Sequence, residues 1–445
     1  MTNSIESASS ASLVAEVIDD GKASGQQFLV VGLCMLFNMI DGFDITAMAV
    51  VASSVGEELS LEPDKIGMIF SFALAGMVCG SMILAPISDF IGRRKLIIAG
   101  LILVGVSMVF TASASTLTEF VTLRFISGLG AGTLLASQAA LAAEYSPEKY
   151  RSLAVTTVTC GYPMGAMMTS VVAGFIMPEH GWRGMFVFGG IATVVFAVVA
   201  LALIPESLKF LLERRPSKAL TRANKILLRL GKQPLDELPP IANDDAGQYG
   251  SVIKNVATLF RHGTWATTLT LWVSFFLCFS TLYFLMSWIP TLMENAGYTA
   301  ADGRHAFFLF NFSAIIGIFV LGTLSTRWKL SNLVSGFLFS SAVLMIVFAA
   351  SPEVLGLLMA LTFTIGFTQQ GGFTGLYAIA AKVYPTEIRS MGVGWAIGLG
   401  RLGAVAGPWV AGYLIAGGLD MAATYYIFAV PMAIGGLLAY RLHVK

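Results

Sequence analysis

The stretch FLVVGLCMLFNMIDGFDITAMAVV, residues 28–51, decides the fold. About 20 apolar residues cross a hydrocarbon core of about 30 Å as a helix, and this run is longer. It is too long for the apolar core of a cleavable signal, and it carries Asp41 and Asp44. It therefore reads as a membrane-spanning helix. With the first near residue 27, similar runs start near 66, 95, 119, 151, 183, 264, 304, 330, 354, 388 and 421, which makes twelve. The whole chain agrees: 56% of its 445 residues are hydrophobic and 12% are charged, against about 25% charged in soluble proteins. Mean hydropathy is +0.78. A net charge of +1 gives no basic field, which excludes a nucleic-acid partner. Cys34, Cys79, Cys160 and Cys278 lie scattered in apolar runs without a CxxC pair and read as free thiols.

Charge between the runs sets the orientation. With the N-terminus cytoplasmic, inner segments hold 22 of the 27 Lys and Arg, and outer loops hold only Lys65, Arg183 and Arg304. Such a bias places both termini inside, in a multi-pass protein of a bacterial-type inner (plasma) membrane. The expected division is a polar tail at 1–26, a six-helix bundle at 27–204, a cytoplasmic linker at 205–262 and a second six-helix bundle at 263–445. The linker has two short amphipathic runs, Ser207–Arg215 and Ala219–Leu230, suited to a membrane surface or to a solvated connection.

The two halves repeat. Tyr145-Ser-Pro-Glu-Lys-Tyr-Arg151-Ser152 echoes Tyr384-Pro-Thr-Glu387-Ile-Arg389-Ser390, and a shift of 238 residues carries Gly165-Ala166 onto Gly403-Ala404. Parallel repeats about an axis along the membrane normal build one large transporter class, with substrate near the midplane. Under the same shift Asp41, Asp44 and Arg124 fall on Phe279, Leu282 and Thr362, and Arg401 on Pro163. The four charges at membrane depth therefore break the repeat.

Particular motifs carry a family resemblance. Ala85-Pro-Ile-Ser-Asp89-Phe-Ile-Gly92-Arg93-Arg94-Lys95 resembles the loop between spans 2 and 3 of the major facilitator superfamily, with Ala85 and Phe90 departing from it. Arg124-Phe-Ile-Ser-Gly128-Leu-Gly130-Ala-Gly132 is similar to its span-4 motif, and Pro205-Glu206-Ser207 to the run after span 6 of sugar and organic-ion porters. Asp41-Gly42-Phe43-Asp44 looks like the signature of the aromatic acid:proton symporter family, and Tyr384–Arg389 leading to Gly400-Arg401-Leu-Gly403 agrees. The resemblance covers the whole chain. It implies an all-α membrane protein of twelve transmembrane helices in two six-helix bundles related by a pseudo-two-fold axis. It also implies that spans 1, 4, 7 and 10, helped by 5, 8 and 11, line the cavity.

Depth groups the charges. At 1.5 Å rise per residue Asp41 and Asp44 stand roughly 21 and 26 Å from the inner face, and Arg124 roughly 9 Å below the outer face. Asp41 and Asp44 share a helix face at i, i+3, so a cluster with Arg124 is expected. A static ion pair is the competing reading, but two acids face one Arg. The surplus carboxylate could bind and release a proton. By resemblance to proton-coupled sugar porters, Asp44 is the first choice of carrier, with Asp41 its partner or part of the substrate site. Arg401 lies past the midplane of span 11 with no acid at its depth in the second half, and its planar fork suits a carboxylate. Satisfaction by backbone carbonyls is the alternative. Asn38, Tyr162, Asn311, Gln369 and Gln370 are the polar cavity candidates. Trp288, near an outer end, reads as part of the interfacial aromatic belt.

Asp89, Gly92, Arg93, Arg94, Glu144, Arg151, Glu387 and Arg389 mark the inner span ends, where salt bridges between the halves would hold an outward-open state. His180 and His305 read as outer-loop residues without metal-ligand spacing, so no metal is expected. The expected function is symport of a small aromatic carboxylate, such as a hydroxybenzoate, with a proton as coupling ion and no cofactor, by a monomer in a lipid bilayer. The alternative is a proton-coupled sugar or organic-ion porter. A membrane enzyme would need a catalytic cluster such as HExxH, which the chain lacks.

Overall fold

The computed structural model describes residues 18, 24–240, 259–260, 265–385 and 388–442. Among these, ten helices are long and apolar enough to cross a membrane. They are span 1 Gly25–Leu59, span 2 Pro63–Ile91, span 3 Arg93–Thr111, span 4 Leu117–Glu144, the run Glu148–Leu203, span 7 Trp265–Asn295, span 8 Ala300–Leu324, span 9 Leu330–Ala350, span 11 starting at Arg389 and ending at Ala416, and span 12 Met421–Arg441. The 56-residue run Glu148–Leu203 is two spans, because Gly181 at φ 60° and ψ −165° breaks it into span 5 (148–180) and span 6 (182–203). Span 10, Leu355–Val383, is long enough but is made less apolar by the adjacent Gln369 and Gln370. Two short helices, Leu208–Arg214 and Ala219–Arg229, follow span 6 and bury Leu211, Leu212, Ala223 and Leu227.

Helix starts satisfy their orphan N–H groups locally. Ser24 with Gln27, Thr116 with Glu119 and Thr299 with Asp302 form reciprocal capping boxes, and Asp420 accepts from the N–H of Ala423. Span 2 passes through a π turn at Gly80–Leu84 and a 3-10 turn at Ala85–Ile87, where Pro86 offers no N–H to the helical ladder.

The bundles repeat their packing. Spans 1 and 5, 2 and 4, 3 and 6, and 3 and 4 pair in the first half, as 7 and 11, 8 and 10, 9 and 12, and 9 and 10 do in the second. Glycines place backbone against backbone at the equivalent contacts. A Cβ on Gly165 would stand 1.9 Å from the Met39 carbonyl oxygen, and one on Gly403 2.0 Å from that of Phe276. In span 4, Gly128 and Gly132 meet the Ala73 and Met77 carbonyls of span 2, which accounts for that motif's spacing.

Between halves, spans 2 and 11, 5 and 8, and 1 and 7 meet. On the face opposite the chain termini the fit is close. Ser71 Oγ donates to the Val405 carbonyl at 2.7 Å, and Gly67 and Gly412 abut the facing backbones of Pro408 and Pro63. Trp288 is fully buried there, donates to the Pro408 carbonyl at 3.0 Å and stands edge-on to Phe70. It is a plug residue between the halves rather than part of an interfacial belt, because span 7 turns that face toward spans 2 and 11. His180 ends span 5 and His305 lies in the second turn of span 8, so both belong to helix ends rather than loops.

Candidate functional site: a buried charge cluster and an aromatic wall

The three charges of the first half do not form one symmetric cluster. Asp44 is wholly engaged. Its Oδ1 receives Arg124 Nη1 at 2.5 Å, its Oδ2 receives the Ser127 hydroxyl, and its main-chain carbonyl receives Arg124 Nη2 at 2.8 Å. All three side chains are within 1% of full burial. Arg124 also lies over the Phe186 ring, 5.7 Å from its centroid. Such a pair ties span 1 to span 4.

Asp41 is as deeply buried, yet neither carboxylate oxygen has a hydrogen-bond partner among the described residues. The helix explains the split: at about 100° per residue, positions i and i+3 differ by about 60°, enough to aim them at different neighbours. Asp44 turns to span 4. Asp41 lies toward spans 5, 7 and 11, where Tyr162, Tyr283 and Arg401 are within electrostatic range. Expecting Asp44 to be the surplus acid is corrected by this geometry, which makes Asp41 the acid without a direct partner. Gly42 allows the approach, since a Cβ there would stand 2.2 Å from the Tyr162 carbonyl oxygen.

Arg401 stands half-buried in span 11 with no ion pair or hydrogen bond among the described residues. The aromatic side chains beside it could not be picked out of the sequence. Tyr283 and Tyr377 lie within its electrostatic range. Gly400, its chain neighbour, abuts Phe275 and Phe279. Phe279 meets Phe373 edge-to-face at 4.7 Å, Phe373 meets Tyr377 at 5.4 Å, and Phe279 stacks with Tyr283 at 6.1 Å. Spans 7 and 10 thus present a wall of rings next to one guanidinium. The only sequence signal was the i, i+4 spacing of Phe275, Phe279 and Tyr283 and of Phe373 and Tyr377, which core packing also produces.

The polar candidates divide in two. Asn38 is fully occupied within the first half: its amide donates to the Val158 carbonyl at 2.7 Å, and its oxygen accepts from Gln138 Nε2 at 2.9 Å. It cross-links spans 1, 4 and 5, which argues against the expected place in a substrate site. Gln369 is fully buried with both amide atoms unpartnered, and Asn311 Oδ1 and Gln370 Oε1 are likewise unpartnered among the described residues, while the Tyr162 phenol meets that of Tyr283. A buried polar group left without a partner costs about 1–3 kcal/mol, so these groups are poised for water or a polar solute. Gln369 is one turn before Phe373 and faces the same way.

The gate residues lie where expected along the chain but bond differently. Arg93 meets Glu144 at 2.7 Å and Asp89 at 3.4 Å. The Arg94 N–H donates to Glu206 Oε1 at 3.0 Å, and its guanidinium to the Leu201 carbonyl at 2.6 Å. These contacts knit spans 2, 3, 4 and 6 of one half, and are not the bridges between halves that were expected. With the halves joined on the opposite face, the terminal-face charges of the first half bond within their own bundle. Arg151 and Arg389 are exposed at the first turns of spans 5 and 11, and Glu387 lies outside the described residues. Gly92 has φ 101°, and a Cβ there would fall 2.4 Å from Glu206 Oε2. Glu206, whose carbonyl accepts from Tyr145 Oη at 2.6 Å, is the latch member that the residue-by-residue reading missed. The Pro205-Glu206-Ser207 motif is legible in the sequence, whereas its carboxylate's role at the start of span 3 is not.

Known proteins share this architecture and sequence. A curated protein named 4-hydroxybenzoate transporter PcaK, from Acinetobacter baylyi, is 27% identical over 430 residues, covering 95% of this chain and 93% of its own length. A benzoate transport protein from the same organism is 29% identical over 438 residues, covering 97% and 92%. Among solved structures, the inward-open xylose transporter XylE of E. coli superposes with a TM-score of 0.73 at 16% identity over 94% of this chain and 96% of its own, a likeness of fold alone. The family model described as Major Facilitator Superfamily matches residues 34–334 and 271–445, which together take in almost all of the sequence. With its paired six-helix bundles, this chain belongs to the major facilitator superfamily.

Proposed function

We propose that this protein carries small aromatic carboxylates, of the hydroxybenzoate or benzoate kind, into a bacterial-type cell together with a proton, by alternating access. The observation that carries the reading is Arg401: a guanidinium with no ion pair among the described residues, set beside the aromatic wall of Phe279, Tyr283, Phe373 and Tyr377. A carboxylate would take the bidentate fork, the ring would pack on the wall, and ring hydroxyls would find the unpartnered amide of Gln369 and the Asn311 Oδ1. The names of the relatives support the substrate class, and the buried carboxylate of Asp41 supports a proton as coupling ion. The strong excess of Lys and Arg on the terminal face supports a cytoplasmic position for both termini. We further place the protein in the inner membrane as a monomer that needs no cofactor.

Calorimetric titration with 4-hydroxybenzoate and with its amide tests the reading. Wild-type protein should bind the acid and ignore the amide. Arg401→Ala should lose about 2–5 kcal/mol, or roughly 30- to several-thousand-fold in affinity. Arg401→Lys should bind weakly, because an ammonium offers no planar fork. Equal affinity for acid and amide in the wild type would sink the carboxylate reading.

A further inference from the structure

Two opposite charges of the central region, one from each half, lack direct partners among the described residues. Asp41 of span 1 is fully buried with both oxygens unpartnered, and Arg401 of span 11 has no ion pair among the described residues. Every other ionised group near them is spoken for or distant. Asp44 and Arg124 are paired with each other through Nη1 and Nη2, Arg124 Nε lacking a partner among the described residues. Spans 5 and 7 present the phenols of Tyr162 and Tyr283 to Asp41. Spans 2 and 3, which also touch span 1, carry Asp, Glu, Lys and Arg only toward their ends, at Asp64, Lys65, Asp89, Arg93, Arg94 and Lys95, and span 6 carries Arg183 near its start. Gly42, next to Asp41, abuts Tyr162, and Gly400, next to Arg401, abuts Phe279, which stacks on Tyr283; Tyr283 lies within range of both charges, and Arg401 is the cation of the other half that acts on Asp41.

We propose that Asp41 is the counter-ion of Arg401 before substrate binds, and that the substrate's carboxylate displaces it and makes it take up the proton that is co-transported. This rests on the carboxylate reading given above. The bookkeeping of charge is simple. With Asp41 ionised, the pair is neutral across the halves. An arriving carboxylate neutralises Arg401 and would leave Asp41 as an uncompensated buried anion beside Asp44. Such an anion is too costly to persist, so one proton from water joins Asp41 as the substrate binds. The loaded site, with Arg401, the substrate carboxylate and neutral Asp41, again carries no net charge and is suited to crossing an apolar barrier. Asp44, held by Arg124 and Ser127, fixes span 1 against span 4. The phenols of Tyr162 and Tyr283 lie within electrostatic range of Asp41.

Linkage gives the test. Where Asp41 is ionised in the substrate-free protein, each bound acid molecule takes up one proton, so Kd should rise about tenfold per pH unit. At low pH, where Asp41 is already neutral, Kd should level off. Asp41→Asn, which is isosteric and has no negative charge to compete, should bind 4-hydroxybenzoate more tightly than wild type at pH 8, with a flat pH profile. It should also fail to concentrate the acid in proteoliposomes. Titrations in phosphate and in Tris buffer, whose ionisation heats differ, should report about one proton taken up per acid bound by the wild type. The same titrations should report none for Asp41→Asn. The wild-type proton count stands independently, should the variant fold poorly. Selective binding of acid over amide without proton uptake would overturn this proposal alone, as would an unchanged pH slope in Asp41→Asn. Equal binding of the amide would overturn the carboxylate reading and this proposal with it.

Discussion

Two aspartates three residues apart in one helix have taken up unlike tasks, and burial is not what separates them. Both are fully inaccessible; the difference is in partners. Asp44 has a guanidinium and a hydroxyl, while Asp41 has neither. Removing one member of a buried pair strands the other charge and costs about 3–5 kcal/mol. Asp44→Asn should therefore lower thermal stability in detergent by that order, because Arg124 is left uncompensated. Asp41→Asn removes a buried acid with no hydrogen-bond partner among the described residues, and its counter-ion Arg401 is only half-buried, so stability should change much less. Thermal unfolding of both variants by intrinsic fluorescence checks the contrast. Equal losses would mean that Asp41 is tied down as firmly as Asp44.

At the scale of the helices, the chain uses glycine to bring backbones together and leaves polar residues for the central region. The contact of span 5 with span 1 depends on Gly165, where a Cβ would meet the Met39 carbonyl at 1.9 Å, whereas nothing lies within 4 Å of a Cβ on Gly174 of the same span. Overpacking a close contact costs about 1–3 kcal/mol. Gly165→Ala should lower thermal stability by about that amount and slow uptake, since Gly42, Asp41 and Tyr162 lie at the same contact. Gly174→Ala should be neutral or gain up to about 1 kcal/mol from helix propensity. Side-by-side melting curves and initial uptake rates decide; equal effects would deny the close approach of spans 1 and 5.

The molecule as a whole is joined across its halves on the face opposite the termini, by Ser71 with Val405, Gly67 with Pro408, and Gly412 with Pro63 around Trp288. Alternating access requires that this junction open, so its fit biases the balance between the two states. A side chain at Gly412 would press on the Pro63 carbonyl 2.6 Å from its Cβ and on the Gly67 backbone. Gly412→Leu should hold that face apart. A shift of a few kcal/mol in the balance would slow net uptake by more than about tenfold. Binding of 4-hydroxybenzoate to the detergent-solubilised protein should stay within a few-fold, because Arg401 and the aromatic wall are untouched. Uptake at the wild-type rate would show that the junction does not control the cycle.

Twelve spans were legible in the sequence, because a membrane core demands long apolar helices. The internal repeat and the depth of Asp41, Asp44, Arg124 and Arg401 were legible for the same reason: rise per residue is fixed along a helix. What was not legible is the direction in which each side chain turns once helices pack. Asp44 rather than Asp41 is bound to Arg124, and Asn38 is consumed in joining spans 1, 4 and 5. Trp288 sits in the plug, and Glu206 joins the loop of Arg93 and Arg94. The repeat shift had set Phe279 opposite Asp41 only as a mismatch, whereas folding makes that phenylalanine part of the wall beside Arg401. Helical periodicity leaves a residue's angle free until neighbouring helices choose it, so sequence determined depth and the tertiary structure alone decided partnership.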